Sequence, residues 1–191
     1  MSKSICKAYK ANRNDEMYTP RILVECLKPY FENWCITQQK DPSQIKGWAP
    51  FDKTTSEYVL FFKELGCKVI YSHIDYGQDF FEYEPEENYD IIISNPPFSK
   101  KLDVFKRCNE LGKPWVMLMN AMAINYHEIG EYFADNPIEL LIPDKRISFD
   151  GNPSSFNSCY VCKNFLPTRL EFVHVEHNNT GKNFVKSRMY E

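Results

Sequence analysis

The sequence predicts an α/β fold with a doubly wound, mostly parallel sheet that is covered by helices and gains an antiparallel strand late in the chain. Segments typical of strands alternate with segments typical of helices between residues 45 and 142, a pattern that favours parallel strands joined by helical crossovers. The run Ile91-Ile92-Ile93 is apolar throughout, as expected of a strand with both faces buried. The last part of the chain changes to strands alone, near residues 158–165 and 169–174.

The spacing of apolar residues distinguishes helices from strands in the alternating region. Apolar residues spaced three and four apart predict four helices. Three of them cover residues 20–31, 100–111 and 124–133, and the fourth begins at a cap among residues 54–56 and ends at residue 65. Short runs rich in β-branched and aromatic residues predict strands over residues 45–51, 68–74, 89–94, 115–119 and 138–142. Thr19 and Pro20 suit an N-cap and a first helical position, while Gly66 and Gly112 end two of the helices.

The composition indicates a single globular unit. A chain of 191 residues, of which 43% are hydrophobic, can bury a sizeable core, so we expect one domain over residues 1–191. No stretch approaches the roughly 20 consecutive apolar residues of a membrane-spanning helix. The beginning of the chain lacks the apolar segment of a signal peptide. We therefore expect a cytoplasmic protein with no membrane partner.

The cysteines indicate reduced thiols rather than a disulfide framework or a metal site. There are seven of them, an odd number without the dense spacing of a small disulfide-stabilised domain. Cys159 and Cys162 form a Cys-x-x-Cys pair, but no second pair completes a set of four zinc ligands. Their surroundings are typical of a strand, so no metal is expected.

The formal net charge of -3 argues against binding of nucleic acid by bulk electrostatics. Any such binding would use local basic patches. The candidates are Lys100, Lys101, Lys106 and Arg107 around one predicted helix, Lys145 and Arg146 in a loop, and Lys182, Lys186 and Arg188 near the C-terminus.

The strongest motif is Asn95-Pro96-Pro97-Phe98, directly after the buried strand that contains Ile91-Ile92-Ile93. Open α/β sheets bind their ligands beyond the carboxyl ends of their strands. There the Asn95 side chain and the Pro96 carbonyl can each accept one hydrogen of a planar amino group, and proline rigidity keeps the acceptors preorganised. Phe98 offers a ring face for an extruded base. The alternative is a rigid turn that only ends the strand.

With these residues the chain resembles the amino-methyltransferases that use S-adenosylmethionine, and more closely the small phage-type DNA adenine-N6 methyltransferases. The resemblance extends over roughly residues 15–167. It implies a Rossmann-like class I methyltransferase fold, S-adenosylmethionine as cofactor, and methylation of the N6 amino group of adenine in DNA. Asn95, Pro96, Pro97 and Phe98 would then be the catalytic residues.

The same resemblance implies which residues bind the cofactor. A segment before the sheet would contact the methionine part, a Pro-Phe-Asp turn would replace the usual glycine-rich turn, and an acidic-aromatic pair would bind the adenosine. In that order, these residues are Tyr18, Thr19 and Pro20; Pro50, Phe51 and Asp52; and Asp79 and Phe80. Thr19-Pro20 also has the simpler interpretation of a helix cap.

The sequence departs from the broad family at two positions. The turn after the first strand has no glycine between Trp48 and Ser56. Its backbone amides would therefore have to face the cofactor without the freedom of φ that glycine provides. His73 stands where an acidic residue commonly binds the ribose hydroxyls, and Asp75 is the competing candidate.

These departures leave alternatives open. One is a catalytically silent binding module with the same ancestry, and another is a different planar amino target, such as adenine in RNA, cytosine N4 or a glutamine amide. The small size of the chain also makes a helper subunit or a homo-oligomer plausible.

Overall fold

The computed structural model describes residues 19–149 and 157–177, with the backbone alone at His177 and at residues 183–185. Its helices are α1 (Arg21–Glu25), α2 (Lys28–Thr37), α3 (Glu57–Glu64), α4 (Lys101–Glu110) and α5 (His127–Asp135). Its strands are β1 (Lys46–Ala49), β2 (Lys68–Tyr71), β3 (Ile91–Ser94), β4 (Trp115–Asn120), β5 (Glu139–Pro143), β6 (Ser158–Lys163), β7 (Leu170–Val173), β8 (Val175–His177) and β9 (Asn183–Val185).

Seven of the strands form one sheet, in the order β2-β1-β3-β4-β6-β5-β7. All neighbouring pairs are parallel except those made by β6, which runs antiparallel to both β4 and β5. The chain leaves β1 toward β2 on one side and leaves β3 toward β4 on the other. The carboxyl ends of β1 and β3 therefore form the switch point at which open α/β sheets bind ligands. The predicted doubly wound sheet with a late antiparallel strand is confirmed.

Two hydrophobic layers cover the sheet. Ile91 and Ile93 pack into the layer with α1, α2 and α3, whereas Ile92 packs into the layer with α4 and α5. Successive residues of a strand point to opposite faces, and all three side chains are at most 3% exposed. The continuous apolar run is thus a central strand with both faces buried, as predicted from the sequence.

The first predicted helix is two helices, with the break after Glu25. Pro29 is the cause, because proline has no N–H to donate to the carbonyl of Glu25 and its ring crowds that carbonyl. The prediction of Thr19 as N-cap is wrong. Pro20 stands at the cap position without a side-chain hydrogen bond, and Thr19 is buried, with its side chain hydrogen-bonded to Tyr58.

Other boundaries shift modestly. The helix expected over residues 124–133 is a short 3-10 helix, Ala121–Ile124, followed by α5. The 3-10 helix begins where the Asn120 side chain accepts from the Met122 amide at 3.0 Å. Gly66 and Gly112 end helices as predicted, with φ values of 88° and 67°. The two-stranded sheet of β8 and β9 was not predicted.

Cys159 and Cys162 lie on β6, as their strand-like context predicted. Residues three apart on a strand face opposite sides, and the two side chains belong to different core layers. They cannot jointly bind a metal or form a disulfide. Burial raises the pKa of the Cys159 thiol to about 12 and that of Cys162 well above its ordinary value. Separately, no helix among the described residues combines the length and the hydrophobicity needed to cross a bilayer.

Candidate functional site

The turns that follow β1, β2, β3 and β4 lie along one edge of the sheet. Their strands are parallel and adjacent, so Ala49, Tyr71, Ser94 and Asn120 all end at that edge. We call it the carboxyl edge. It brings together four predicted groups of site residues: Pro50 to Asp52, His73, Asp79 with Phe80, and Asn95 to Phe98.

Asp52 connects the turn after β1 to the end of β3. Its carboxylate accepts hydrogen bonds from the Ser94 hydroxyl at the end of β3 and from the Ser56 hydroxyl before α3. The Ser94 hydroxyl also accepts from the Phe51 amide at 3.3 Å. Asp52 is only 7% exposed, and this burial raises the pKa of its carboxyl to about 6. Asp52 is thus an internal carboxylate that holds the turn against the strand preceding Asn95.

Ser72 holds the same turn from the other side. Its hydroxyl accepts from the Trp48 indole N–H at 3.0 Å and donates to the Pro50 carbonyl at 3.4 Å. Its backbone carbonyl accepts from the Asp52 amide at 3.1 Å. The amides of Phe51 and Asp52 are therefore bonded within the protein. The glycine-free turn keeps its shape through side-chain hydroxyls on β3 and after β2, rather than through glycine.

Asn95, Pro96, Pro97 and Phe98 continue directly from β3. Pro96 is buried, while Asn95 and Phe98 are half-buried, and the Asn95 Oδ1 atom is shielded from solvent. Pro97 has extended backbone angles, φ -63° and ψ 126°, and precedes a 3-10 helix at Phe98–Lys100. The motif is thus a rigid turn at the switch point, with its amide oxygen shielded from solvent and the Phe98 ring packed against the core.

Asp79 and Phe80 occupy the loop between β2 and β3. The Asp79 carboxylate accepts from the Phe81 amide at 3.1 Å, which shapes the turn. Phe80 is 1% exposed, and its ring centroid lies 4.9 Å from that of Phe51 and 5.5 Å from that of Trp48. Phe80 is therefore mainly a core residue, and the half-buried Phe81 beside it presents more ring surface. Contact of Asp79 and Phe80 with a cofactor stays a prediction.

His73 and Asp75 lie two residues apart in the turn after β2. The His73 Nδ1 atom accepts from the Asp75 amide at 3.1 Å, so a neutral ring carries its proton on Nε2. The Asp75 carboxylate lies 2.8 Å from the Lys53 ammonium. Both residues therefore remain candidates for contact with ribose hydroxyls.

The remaining predicted cofactor residues lie before α1. Thr19 bonds to Tyr58, whose hydroxyl lies 3.2 Å from that of Tyr160; Tyr160 in turn donates to the Leu23 carbonyl at 2.9 Å. This buried chain of hydroxyls joins α1, α3 and β6, and contact of Thr19 with a cofactor stays a prediction. Pro20 begins α1, and Tyr18 lies outside the described residues.

Ser72 and Ser94 are residues of this site that were not predicted from the sequence. Both are completely buried. A usable signal was present, because a single serine that follows a run of apolar strand residues is a buried hydroxyl that needs hydrogen-bond partners.

The predicted basic patch around α4 is associated with aromatic rings. The ammonium groups of Lys100, Lys101 and Lys106 lie over Phe81, Tyr126 and Tyr132, at 4.8, 3.6 and 6.0 Å from the ring centroids. Lys145 and Arg146 are exposed. The candidate patch formed by Lys182, Lys186 and Arg188 lies outside the described residues.

Comparisons with known proteins identify the fold. No protein-family model matches the sequence, and no curated protein matches it significantly. The crystal structure of the type I restriction-modification system methyltransferase subunit from Streptococcus thermophilus matches with a TM-score of 0.53 and 9% identity, over 90% of this chain and 50% of that one. A Listeria monocytogenes protein assigned to the class I S-adenosylmethionine-dependent methyltransferases gives a TM-score of 0.41 and 13% identity, over 75% of this chain and 53% of that one.

The chain spans about half the length of each of these two structures. At 9% identity the first match shows a shared fold but gives no evidence about the reaction. Together with the strand order and the switch point, it shows that this chain has the Rossmann-like α/β fold found in that restriction-modification methyltransferase subunit.

Proposed function

We propose that the protein is an S-adenosylmethionine-dependent methyltransferase that acts on the exocyclic N6 amino group of adenine in DNA. The observation that carries the proposal is the position of Asn95-Pro96-Pro97-Phe98 at the carboxyl end of β3, on the switch point of the sheet. A rigid turn that served only to end a strand would not need an amide acceptor, two prolines and a ring together at this position.

The residues of the motif have complementary tasks. The amino nitrogen of adenine is a weak nucleophile because its lone pair is delocalised into the ring. When the Asn95 amide oxygen and the Pro96 carbonyl each accept one amino hydrogen, the nitrogen moves toward tetrahedral geometry and its lone pair becomes available. Fixed acceptors require little reorganisation during the reaction. Phe98 can stack on the extruded base.

The reaction is a direct transfer between the amino nitrogen and the methyl carbon. S-adenosylmethionine supplies an electrophilic methyl group on a sulfonium. The nitrogen forms a bond to that carbon as the carbon–sulfur bond breaks, and the extra proton on nitrogen leaves to solvent afterwards. No side chain is needed as a general base.

The residues at the carboxyl edge fit an adenosyl group in part. Phe81 and the edge of Phe51 offer ring surface, Asp79 offers a carboxylate for an amino group, and His73 or Asp75 can bond to hydroxyls. The turn after β1 fits less well, because the Phe51 and Asp52 amides are bonded internally. Recognition of the cofactor would therefore depend on side chains more than on backbone amides.

That internal bonding supports a second candidate, a catalytically silent binding module with the same fold. A third possibility within the enzyme class is another planar amino target, because cytosine N4, adenine in RNA and a glutamine amide suit the same two acceptors. A formal charge of -3 favours DNA affinity supplied partly by a helper subunit or a second copy.

Calorimetric titration with S-adenosylmethionine and S-adenosylhomocysteine is the first test. We expect micromolar binding of both, followed by transfer of a tritiated methyl group to adenine in unmethylated DNA. Absence of cofactor binding by the folded protein would favour the silent module. If the protein binds the cofactor but the tritiated methyl group appears on RNA, on cytosine or on protein, the amino target is a different one.

A further inference from the structure

The carboxyl edge carries exposed apolar and aromatic side chains beside the proposed active site. In the turn after β2, Ile74 and Tyr76 are 49% and 52% exposed, and after β4, Met122 and Tyr126 are 64% and 55% exposed. Because β4 lies next to β3, the segment from Met122 to Tyr126 borders the turn that contains Asn95. β2 is separated from β3 by β1, so of these four side chains Met122 and Tyr126 are the ones that belong to the turn next to Asn95.

Lys101 lies at the same place. It is the first residue of α4, three residues after Phe98, and its ammonium lies 3.6 Å from the centroid of the Tyr126 ring. A lysine over an exposed ring is held weakly, because water competes for the ammonium. Both groups can therefore change partners when a ligand arrives.

The exposure of its ring distinguishes Tyr126 from the other aromatic partners of lysines. Lys113 lies 5.7 Å from the Tyr89 ring, but Tyr89 is only 4% exposed. Lys106 lies over Tyr132, which is half-buried and whose hydroxyl accepts from the Asn109 amide at 2.7 Å. Of these three rings, Tyr126 alone has more than half of its surface open to a ligand.

A ring with an adjacent cation suits a nucleic-acid strand with unstacked bases. Every base has a face that can stack on an aromatic side chain, and the phosphate beside it binds an ammonium. Extrusion of a target base deprives its neighbour of one stacking partner. A ring at the margin of the target site can replace that partner.

We propose that Lys101 and Tyr126 form a strand-binding pair, in which Tyr126 stacks on the DNA base next to the target adenine and Lys101 binds the adjacent phosphate. The proposal rests on the proposed function and assigns it a substrate contact outside the Asn95 motif. It also explains how an acidic chain holds DNA, since binding relies on a local pair and not on the overall charge.

The test measures binding of a fluorescein-labelled, thymine-rich oligonucleotide with a single adenine, by anisotropy, with S-adenosylhomocysteine present. We expect Tyr126→Ala to weaken binding about tenfold, as for loss of one base–aromatic stack, and Tyr126→Phe to bind like the wild type. We expect Lys101→Gln to weaken binding and to lower the slope of log affinity against log salt by about 0.7, the value for one phosphate contact on a single strand.

Lys113→Gln is the matched control. It removes the same charge from another lysine over a tyrosine, at the opposite edge of the sheet, and it should change neither affinity nor salt slope. A 2-aminopurine next to the adenine reports the stack directly: its fluorescence should be quenched by the wild type and by Tyr126→Phe, but not by Tyr126→Ala. Melting temperature and S-adenosylhomocysteine affinity verify that each variant is folded, and Tyr126→Leu replaces Tyr126→Ala if the latter is not.

Wild-type affinity in Tyr126→Ala or Tyr126→Leu, or equal salt slopes in Lys101→Gln and Lys113→Gln, would overturn the strand-binding pair. If these variants also methylate DNA normally, the proposed function stands without it. If the wild type neither binds nor methylates DNA, both proposals fail.

Discussion

The Ser94 hydroxyl donates a hydrogen bond to the buried carboxylate of Asp52, and this contact joins the two halves of the proposed site. Ser94 is the last residue of β3 and precedes Asn95, whereas Asp52 lies in the turn after β1. A change at either residue is therefore transmitted to the other turn. The first two predictions follow from this relationship.

Replacement of Ser94 by Ala should lower turnover without abolishing cofactor binding. The substitution removes the acceptor of the Phe51 amide and a donor to Asp52, so the Asn95 turn loses its support. A misplacement of about 1 Å lowers rates by about a hundredfold, so a smaller shift of the Asn95 turn should lower kcat by roughly tenfold. Steady-state kinetics should show the loss in kcat rather than in the KM for S-adenosylmethionine. Tyr160→Phe is the control, because it also removes a hydroxyl from the core, but one that bonds to Tyr58 and Leu23 instead of to the Asn95 or Asp52 turns; unchanged kcat in Ser94→Ala would contradict the positioning role.

Asp52 should make stability depend on pH between about pH 4 and 6. Burial raises the pKa of its carboxyl from an ordinary value near 3.8 to about 6. Since the folded pKa lies above the unfolded one, the protonated group favours folding below about pH 4, and this contribution is lost as the pH rises through 6. A change of that size corresponds to roughly 2–3 kcal/mol.

The near-isosteric variant Asp52→Asn isolates that contribution. It removes the titration while its amide oxygen can still accept from Ser94. Urea unfolding should show the variant gaining stability relative to the wild type between pH 4 and 7. A difference between the two proteins that does not vary with pH would show that Asp52 titrates normally.

Replacement of Asn95 by Ala should abolish methyl transfer and leave cofactor affinity nearly unchanged. The amide oxygen is one of two acceptors for the target amino group, and loss of one preorganised polar group typically lowers the rate by about 10²–10³. Methyl transfer to DNA and calorimetry with S-adenosylmethionine measure the two effects separately. Asn88→Ala, an exposed asparagine at the opposite edge, should behave like the wild type. Normal turnover in Asn95→Ala would remove the central residue of the proposed function.

Asp79→Asn should weaken S-adenosylmethionine binding as much as Asp79→Ala does. The asparagine oxygen can still accept from the Phe81 amide, so the turn is preserved. Its amide NH2 group, however, cannot accept from a cofactor amino group. A hydrogen bond that involves a charged group contributes about 1.5–3 kcal/mol, which predicts a loss of roughly ten- to a hundredfold by calorimetry. Full affinity in Asp79→Asn, with reduced affinity in Asp79→Ala, would limit Asp79 to shaping the turn.

Tyr160→Phe should destabilise the fold without affecting the site. The Tyr160 hydroxyl donates to the Leu23 carbonyl and contacts the Tyr58 hydroxyl in the core. Its removal leaves buried polar groups with fewer partners, which costs about 1–3 kcal/mol. Thermal unfolding should show the loss, and calorimetry with S-adenosylmethionine should show wild-type affinity. An equal loss of affinity would mean that this hydroxyl chain also supports the cofactor site.

Sequence patterns predicted the alternating part of the fold because its signals are local. The run Ile91-Ile92-Ile93 needs both faces covered, so its burial follows from composition alone. Gly66 and Gly112 adopt positive φ values that other residues avoid, and they ended helices where expected. The break in the first helix is equally local, because Pro29 has no N–H to donate to the carbonyl of Glu25.

By itself, then, the sequence determined the fold class, the main strands and the position of Asn95-Pro96-Pro97-Phe98 at a strand end. Only the tertiary structure decided the roles of Thr19, Asp52 and Ser94, because their hydrogen-bond partners are distant in sequence. Thr19 looks like a helix cap until Tyr58 is placed against it. Likewise, Asp52 looks like a loop carboxylate until β1 and β3 become neighbours and place the Ser94 hydroxyl beside it. A local pattern shows that a polar group is present, but the packing of distant strands determines which group it bonds.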